Sequence, residues 1–460
     1  MLNLKRPPQV ELDGMSHAEK DALILKLFDV LEGKVEKTSR NSNQPPSTDG
    51  LKKGAAKPRE KGQKPVGGVP GHRGATVAWT ELPDHVVELR PQGQCGCGQC
   101  LEGQEGKLKE RRQQIEMPKP QAEITEYHQY SVDCACGRVH CGEFPAGVTP
   151  YISYGPRLKA YAVGLVEGHF VALERTCEII GDQYGVTPSD SAVQTWIVKA
   201  SQQLESVHEA NRQAIVGAEV AHFDESGMRV GGKLRWLHVA TTDQAVYYTV
   251  HPQRGRPAME DAGILPFFQG QAVHDHWKSY FAFDQCSHAL CNAHYLRELQ
   301  YCADLTGHLW PTALNRLLVE GQQAVEKARL DGHTALAPVV LSDLLARYDQ
   351  QVAIGLAACP IRTPKPGDKG RVKQSTPTNL LVRLRDHKDQ LLRFLTDWRV
   401  PFDNNRAERA VRPVKVKLKV IGGFRAMGGS QAFCVLRSIW ETDKLKGVNP
   451  FETLRLAFGG

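Results

Sequence analysis

The sequence has no hydrophobic run that approaches the roughly 18 consecutive apolar residues of a transmembrane helix. Its first 15 residues also lack the apolar segment of a signal peptide, and they carry charges at Lys5, Arg6, Glu11 and Asp13. We therefore expect a cytoplasmic protein with no membrane partner.

Charge of one sign is not in large excess either. The 58 basic residues outnumber the 51 acidic ones by 7 across 460 residues. This balance permits a nucleic-acid partner without demanding one. A local exception is segment 50–75, where seven Lys or Arg and seven Gly accompany a single acid, Glu60. That composition cannot form a core and predicts a flexible basic linker.

Disulfides are not expected, because thiols stay reduced in the cytoplasm. The twelve cysteines therefore predict metal ligands or buried apolar residues, and six of them fall between residues 95 and 141. Two close pairs have the spacing of a single tetrahedral Zn²⁺ site: Cys97 with Cys100, and Cys134 with Cys136. Four thiolates leave no open coordination position, so we expect this Zn²⁺ to be structural. Two further thiols could replace a member of the quartet, Cys95 and Cys141.

Two apolar runs end in an acid: residues 220–224 end at Asp224, and residues 271–275 end at Asp275. A carboxylate at the end of a buried strand is costly to desolvate unless a cation lies opposite it. The two runs therefore predict a metal site built on a sheet.

The order of the elements around these acids favours a ribonuclease-H-like mixed sheet. Strand-like runs at 219–230 and 233–241 flank Gly231 and Gly232, a pair suited to a hairpin turn. A third strand is predicted at 245–250, then a helix at 257–264, strands at 270–274 and 288–290, and a helix at 292–299. In that topology the first and fourth strands are neighbours, so Asp224 and Asp275 are expected to lie side by side.

A third acid must come from a distant part of the chain, and the best candidate is Glu408. It follows good helix N-cap residues at 403–405, and an acid in the first turn suits the helix dipole. Arg412, four residues later, shares its face. Competing acids are Glu225, interpreted as the outward neighbour of Asp224, the helix cap Asp403, and Asp284.

Four segments resemble the transposases of insertion-sequence family sixty-six, which are DDE transposases. The segments are Asp-Glu-Ser at 224–226, Val-His-Asp-His-Trp-Lys-Ser-Tyr at 273–280, Cys-Asn-Ala-His-Tyr-Leu-Arg-Glu-Leu at 291–299, and Asp-Asn-Asn-x-x-Glu-Arg-x-x-Arg-Pro at 403–413. The resemblance implies binding to terminal inverted repeats, cleavage of the 3′ ends and strand transfer into target DNA. It also implies a homo-oligomer, accessory proteins of the same element and a nucleoid-associated location in a bacterium.

Phosphodiester chemistry of this type needs an activated oxygen and a stabilised leaving oxygen, for which two Mg²⁺ (or Mn²⁺) ions suffice. Asp224, Asp275 and Glu408 are the expected ligands. Two alternatives remain: a zinc-dependent DNA-binding regulator without catalysis, and a ribonuclease-H-like nuclease that cleaves without joining.

The surroundings of the acids supply further candidate residues. Asn292, His294 and Arg297 share one helical face and, with Arg412, are candidates for positioning the ligands. Between residues 414 and 420 lysines alternate with apolar residues, which predicts a strand with one basic face. The candidate DNA-binding residues of this stretch are Arg409, Lys415, Lys417, Lys419 and Arg425.

These assignments predict a multidomain α/β chain with seven segments. They are an N-terminal helix and possible oligomerisation segment (1–40), the basic linker (41–75), the zinc-binding domain (76–150), a helical and possibly DNA-binding domain (151–216), the first part of the catalytic domain (217–303), a helical insertion (304–400), and the last part of the catalytic domain with its tail (401–460). Within the helical domain, residues 174–199 could form a helix-turn-helix. The insertion is expected to hold helices at 311–329, 338–358 and 378–396.

Overall fold

The structure is a computed structural model of the chain, and it describes residues 77–145, 147, 148, 150–363 and 372–460, with a few positions between 16 and 42. Most of the predicted N-terminal helix, nearly all of the basic linker and most of the 363–374 loop lie outside the described residues. Within the described ranges, no helix is both long and apolar enough to cross a membrane.

The described residues form two compact units, and residues 77–121 belong to one of them. This unit is mostly exposed, with an isolated bridge between Gln94 and Cys100 as its only strand-like pairing in the described range. The other unit contains residues 122–460 together with the described positions before residue 50. The boundary therefore falls inside the segment 76–150 that the sequence predicts as one zinc-binding domain.

The larger unit begins with a small hairpin and a group of helices. Strands β1 (Ser131–Asp133) and β2 (Val139–Cys141) pair antiparallel. The helices that follow are α1 (Pro156–Val163), extended by a π-helical turn (Gly164–Gly168), then α2 (Leu173–Tyr184), α3 (Asp190–Gln203) and α4 (Glu205–Val216). Helix α3 begins where the hydroxyl of Ser189 accepts the N–H of Ala192 at 3.2 Å. The helical character predicted for 151–216 is confirmed.

A five-stranded sheet is the centre of the larger unit. Its strands are β3 (Val220–Val230), β4 (Lys233–Thr241), β5 (Val246–His251), β6 (Gln271–His274) and β7 (Ser287–Leu290). Gly231 and Gly232 join β3 to β4 with φ angles of 56° and 73°, which only glycine adopts readily. The strand order is β5-β4-β3-β6-β7, with β3, β6 and β7 parallel. The prediction that the first and fourth strands of this sheet are neighbours is confirmed.

Both faces of the sheet are covered by apolar side chains. Phe223, Phe268 and Tyr280 belong to the core on one face, beside the short helix α5 (Arg256–Asp261). The opposite face packs on two helices from the end of the chain, α11 (Asn405–Val420) and α12 (Met427–Leu445). The last helix, α13 (Pro450–Ala457), packs with α1 and α3 instead. These helices are numbered after the insertion helices given next.

The region between β7 and α11 forms a helical core of its own. It contains α6 (Asn292–Thr306), α7 (Trp310–Leu330), α8 (Pro338–Ala358), α9 (Thr376–Asp386) and α10 (Lys388–Thr396). The predicted insertion helices are confirmed, except that the third is divided at His387. Asn292 joins this core to the sheet, because its Nδ2 donates to the carbonyl of Leu391 at 3.0 Å and to that of Leu290 in β7 at 3.5 Å.

One secondary-structure prediction is wrong. Residues 414–420 are the end of helix α11 and not a strand. The alternation of lysine with valine and leucine suggested a period of two, but the buried residues Val411, Val414 and Lys417 recur at the three-residue spacing of a helix face. The predicted basic strand face therefore does not exist.

Helix α12 contacts two cores at once. Phe433 and Cys434 belong to the core beneath the sheet, whereas Val435, Ile439 and Trp440 pack with helices α1 to α3. The approach is close: a Cβ atom at Gly168 would lie 2.3 Å from the ring of Trp440. Glycine at this position lets the π-helical turn contact the indole directly.

Candidate functional site

Asp224 and Asp275 occupy matching positions on neighbouring strands. The parallel register pairs His222 of β3 with Val273 of β6, and each acid lies two residues further along its strand direction. Because side chains alternate across a strand, Asp224 shares the face of Met228 and Val230, which α11 covers. The structure therefore brings these two acids together, as the strand order predicted.

Glu408 lies in the first turn of α11, and Asn404 positions that turn against the sheet. The side-chain Nδ2 of Asn404 donates to the carbonyl of Phe223 at 2.8 Å, and its Oδ1 is 2.9 Å from Nδ1 of His222. Asp403 provides the helix cap through its Oδ1, which accepts the N–H of Asn405 at 3.0 Å. The sequence suggested only helix capping for Asn404. Nothing in the sequence indicated its buried contacts with Phe223 and His222.

The three acids interact electrostatically. Burial, followed by the charges of Glu225, Asp275 and Glu408, raises the pKa of Asp224 to about 8. Burial also raises the pKa of Asp275. A site that disfavours ionised carboxylates in this way is stabilised when a cation binds.

The three acids are not gathered closely enough to surround a single ion. Their ligand oxygens do not all lie within 4.8 Å of one another among the described residues. Ligands on opposite ions of a pair about 4 Å apart, each with an oxygen ligand at about 2 Å, can lie up to about 8 Å from each other. Glu408 Oε1 is buried and, within the described residues, accepts no hydrogen bond. The hard oxygen donors fit Mg²⁺.

Glu225 is not the outward neighbour that the sequence suggested. Strand alternation turns its side chain to the opposite face of the sheet, where Oε2 accepts the hydroxyl of Tyr280 at 2.5 Å. Its Oε1 accepts Arg254 at 2.6 Å, and the guanidinium of Arg254 lies 4.8 Å from the ring of Trp236 and 4.2 Å from that of Trp277. The buried carboxylate of Glu225 is thereby paired with the partly exposed guanidinium of Arg254.

The candidate positioning residues separate into different groups. His294 lies at the site, with Nδ1 3.8 Å from Glu408 Oε1, and burial lowers its pKa to about 4. The positive charge of Arg297 adds to that lowering, so Arg297 is also close. Asn292 is buried and binds the carbonyl of Leu391, away from the acids. Arg412 is exposed one turn after Glu408 on α11.

The candidate DNA-binding residues are also not equivalent. Lys417 is buried, and its Nζ pairs with Glu167 at 3.2 Å, so the assignment of Lys417 to an exposed DNA-binding face is wrong. Lys415 lies on the exposed side of α11, where Nζ donates to the carbonyl of Gly227 at 3.1 Å and interacts with the charge of Asp224. The remaining three are exposed: Arg409, Lys419 and Arg425.

The two cysteine clusters adopt the same local turn, each within its own unit. The N–H of Cys95 donates to the carbonyl of Gln99 at 2.9 Å, and the N–H of Cys134 donates to that of Arg138 at 2.8 Å. Gly98 and Gly137 have φ angles of 91° and 82° and close both turns, and all six thiols are exposed. Cys95 and Cys97 therefore occupy positions in their turn equivalent to those of Cys134 and Cys136 in theirs.

Comparison with known families shows which family the chain belongs to. The family model described as Transposase IS66 family matches residues 152–432. The chain belongs to this transposase family. A second model, described as a family of unknown function (DUF6444), matches residues 8–78.

A relative from Sinorhizobium fredii (strain NBRC 101917 / NGR234), an uncharacterized protein named y4qI, is 31% identical over 86 residues. That similarity covers 18% of this chain and 16% of the relative. The match to the transposase family contains all three acids, whereas the cysteine turns precede it. The family match therefore covers the segments that carry the acids, and it does not cover the cysteine turns.

The raised pKa of Asp224 predicts an unusual pH dependence for this transposase-family chain without metal. The folded chain keeps a proton on Asp224 up to about pH 8, whereas the unfolded chain releases it near the ordinary value of 3.8. Between these values the unfolded state binds fewer protons, so stability falls as the pH rises. Buried histidines such as His294, whose pKa is lowered to about 4, have the opposite effect: they make stability rise with pH up to their ordinary pKa of 6.5. The window for Asp224 is therefore about pH 6.5 to 8.

We expect the free energy of unfolding of Asp224→Asn, relative to the original chain, to rise by about 1.4 kcal/mol per pH unit in this window. Urea unfolding in the presence of a chelator measures it. Asp284→Asn, an exposed acid, is the matched control and should follow the original chain. Parallel curves for Asp224→Asn and the original chain would show that Asp224 is ionised throughout the window.

Proposed function

We propose that this chain is the DNA transposase of an insertion sequence, which cleaves the 3′ ends of its element and joins them to target DNA. The observation that supports it most is the register-matched pair Asp224 and Asp275 beside the α11 turn that carries Glu408, in a chain of a transposase family. We assign the sheet to the ribonuclease-H-like type on its strand order.

Asp224, Asp275 and Glu408 would hold two divalent cations. Such ions, when bound, supply Lewis-acid activation of the attacking oxygen and stabilisation of the leaving oxygen. The attacking group in the first step is water, which frees a 3′ hydroxyl at the element's end. In the second step that hydroxyl attacks a phosphodiester of the target, and the target strand's own 3′ oxygen leaves.

The chain's remaining residues would place the DNA. Lys415 lies close enough to Asp224 for their charges to interact, so it would contact a phosphate next to the reacting one. Arg409, Lys419 and Arg425 are exposed and would contact phosphates further away. His294 would position Glu408, from which its Nδ1 is 3.8 Å distant.

From the cysteine spacing in the sequence we further propose one structural Zn²⁺ held by Cys97, Cys100, Cys134 and Cys136, with Cys95 and Cys141 as alternative ligands. The partners proposed from the resemblance are the terminal repeats, target DNA, further copies of the chain and accessory proteins of the same element. The predicted location is the bacterial nucleoid.

A strand-transfer assay tests the proposal against its two alternatives. The purified full chain is incubated with Mg²⁺, target plasmid and labelled duplexes that carry the element's ends, either intact or already nicked at the 3′ end. We expect nicking of intact ends and joining of nicked ends. Nicking without joining identifies a nuclease, and end binding without either reaction identifies a regulator. Duplexes with scrambled terminal repeats are the control for specificity.

A further inference from the structure

A cluster of mixed chemistry lies beside the oxygen-rich site. Sγ of Cys291, a ring nitrogen of His294 and a carboxylate oxygen of Glu408 lie within 4.8 Å of one another. Among the described residues, no other group of three or more potential ligands from His, Cys, Asp and Glu is gathered this closely. Its members come from segments more than 110 residues apart in the chain.

The fold brings these side chains together through the starts of two helices. Cys291 immediately precedes α6, and His294 follows three residues later, where its N–H donates to the carbonyl of Cys291 at 3.2 Å. The backbone N–H of Asn404 donates to Sγ of Cys291 at 3.2 Å. This contact fixes the start of α11 beside the thiol, and Glu408 follows one turn later.

Two of the three ligand atoms make no hydrogen bond and are therefore available to a metal ion. His294 Nδ1 and Glu408 Oε1 are both buried and have no hydrogen-bond partner among the described residues. They are 3.8 Å apart, too far for a hydrogen bond between them. Zn–N and Zn–O bonds of about 2.0–2.2 Å in a tetrahedral site place neighbouring nitrogen and oxygen ligands about 3.3–3.6 Å apart. The 3.8 Å between His294 Nδ1 and Glu408 Oε1 exceeds that range by a few tenths of an ångström.

The donor set selects a different ion from the one proposed for the acids alone. A thiolate and an imidazole suit Zn²⁺, Co²⁺ or Cd²⁺, whereas Mg²⁺ takes oxygen ligands in octahedral geometry. Three protein ligands leave a fourth tetrahedral position for water. Glu408 is common to both sites, so it cannot serve both ions fully at once.

We propose that Cys291, His294 and Glu408 form a Zn²⁺ site that draws Glu408 away from Mg²⁺ and thereby inhibits DNA cleavage. The binding part stands on the cluster alone. The inhibition part rests on the proposed function.

Metal binding to the full chain tests the first part. Chain stripped of metal is titrated with Zn²⁺ against a chromophoric chelator, and with Co²⁺ while the thiolate charge-transfer absorption is recorded. The exposed cysteine turns should contribute the same Zn²⁺ binding and the same Co²⁺ absorption in every variant. Cys291→Ser should bind one equivalent of Zn²⁺ fewer, or bind that equivalent more than about 100-fold more weakly. Loss of even an outer hydrogen-bond partner weakens metal binding by about 10- to 100-fold.

The matched control is Cys302→Ser, a buried cysteine in the same helix outside the cluster. It should keep the full Zn²⁺ stoichiometry and the full Co²⁺ absorption. His294→Gln provides an independent variant, and it should lose the same equivalent as Cys291→Ser. Equal stoichiometry in the original chain, Cys291→Ser and His294→Gln would overturn the site.

Cleavage assays test the second part, with each variant compared with its own rate before Zn²⁺ is added. At constant Mg²⁺, the extra equivalent of Zn²⁺ should reduce cleavage by the original chain and Cys302→Ser, but not by Cys291→Ser. Zn²⁺ binding without loss of cleavage would overturn the inhibition and leave the site in place. Absence of cleavage before any Zn²⁺ is added would overturn the proposed function instead, while the binding result still decides the site.

Discussion

Replacing Asp275 by Asn is expected to reduce cleavage of the element's ends by at least about 10³-fold, because a lost metal ligand removes several kcal/mol of transition-state stabilisation. Asn has nearly the same shape, and its Oδ1 can still accept the N–H of Trp277, which is 2.8 Å from Asp275 Oδ1. The turn after β6 should therefore survive. Gel-shift binding to the ends should stay within about twofold of the original chain, since no phosphate-contacting cation has changed.

The matched control for this substitution is Asp284→Asn, an exposed acid in the same β6–β7 connection. It should leave both cleavage and end binding unchanged. Asp224→Asn and Glu408→Gln should reproduce the loss seen for Asp275→Asn. Full cleavage by Asp275→Asn would remove this residue from the catalytic set, and equal losses for Asp284→Asn would indicate a general effect of charge.

Lys417→Met is expected to lower the free energy of unfolding by about 3–5 kcal/mol, because it leaves the buried carboxylate of Glu167 without its cation. The two side chains are almost fully buried, and their 3.2 Å contact joins the π-helical turn to α11. Nζ of Lys417 also lies 4.9 Å from the ring of Phe433 and 5.2 Å from that of Phe424. Urea unfolding measures the change as a lower midpoint at constant slope.

Lys419→Met is the control, since it removes an equal charge from an exposed position on the same helix. It should change the unfolding free energy by no more than about 0.5 kcal/mol. The double variant Glu167→Gln with Lys417→Met should regain much of the loss, because it removes both charges and not one. Equal effects of Lys417→Met and Lys419→Met would contradict the importance of the buried pair.

The sheet and its acids could be predicted because local signals agreed with one topology. Gly231 and Gly232 identify the hairpin by a backbone requirement that few other residues meet. The apolar runs that end at Asp224 and Asp275 then place both acids at equivalent depth in neighbouring strands. The insertion helices were predictable for the same reason, since their apolar periodicity is long and regular.

Other features depend on distant contacts and carried no such signal. Lys417 looked like part of an exposed basic face, but its partner Glu167 lies 250 residues earlier in the chain. Glu225 looked exposed because Arg254 and Tyr280, which occupy it, come from a later turn and a short 3₁₀ helix. In both cases tertiary pairing made burial of a charge tolerable.

The two cysteine turns share a short repeated sequence. Cys-x-Cys-Gly occurs at 95–98 and again at 134–137, and the repeated glycine closes the same turn in both places. The Cys-x-x-Cys spacing of Cys97 and Cys100 has no counterpart in the second cluster. The repeat makes Cys95, an alternative ligand in the zinc prediction, the counterpart of Cys134.

Helix α12 has a consequence for how the protein can be dissected. It lies between the sheet and helices α1 to α3, and it contributes apolar side chains to both cores. A fragment that starts at the sheet would leave Val435, Ile439 and Trp440 facing water, a patch of the kind that drives aggregation. The part of the chain that carries the three acids thus has no natural boundary at residue 217, and its chemistry has to be separated from recognition by single substitutions in the intact chain.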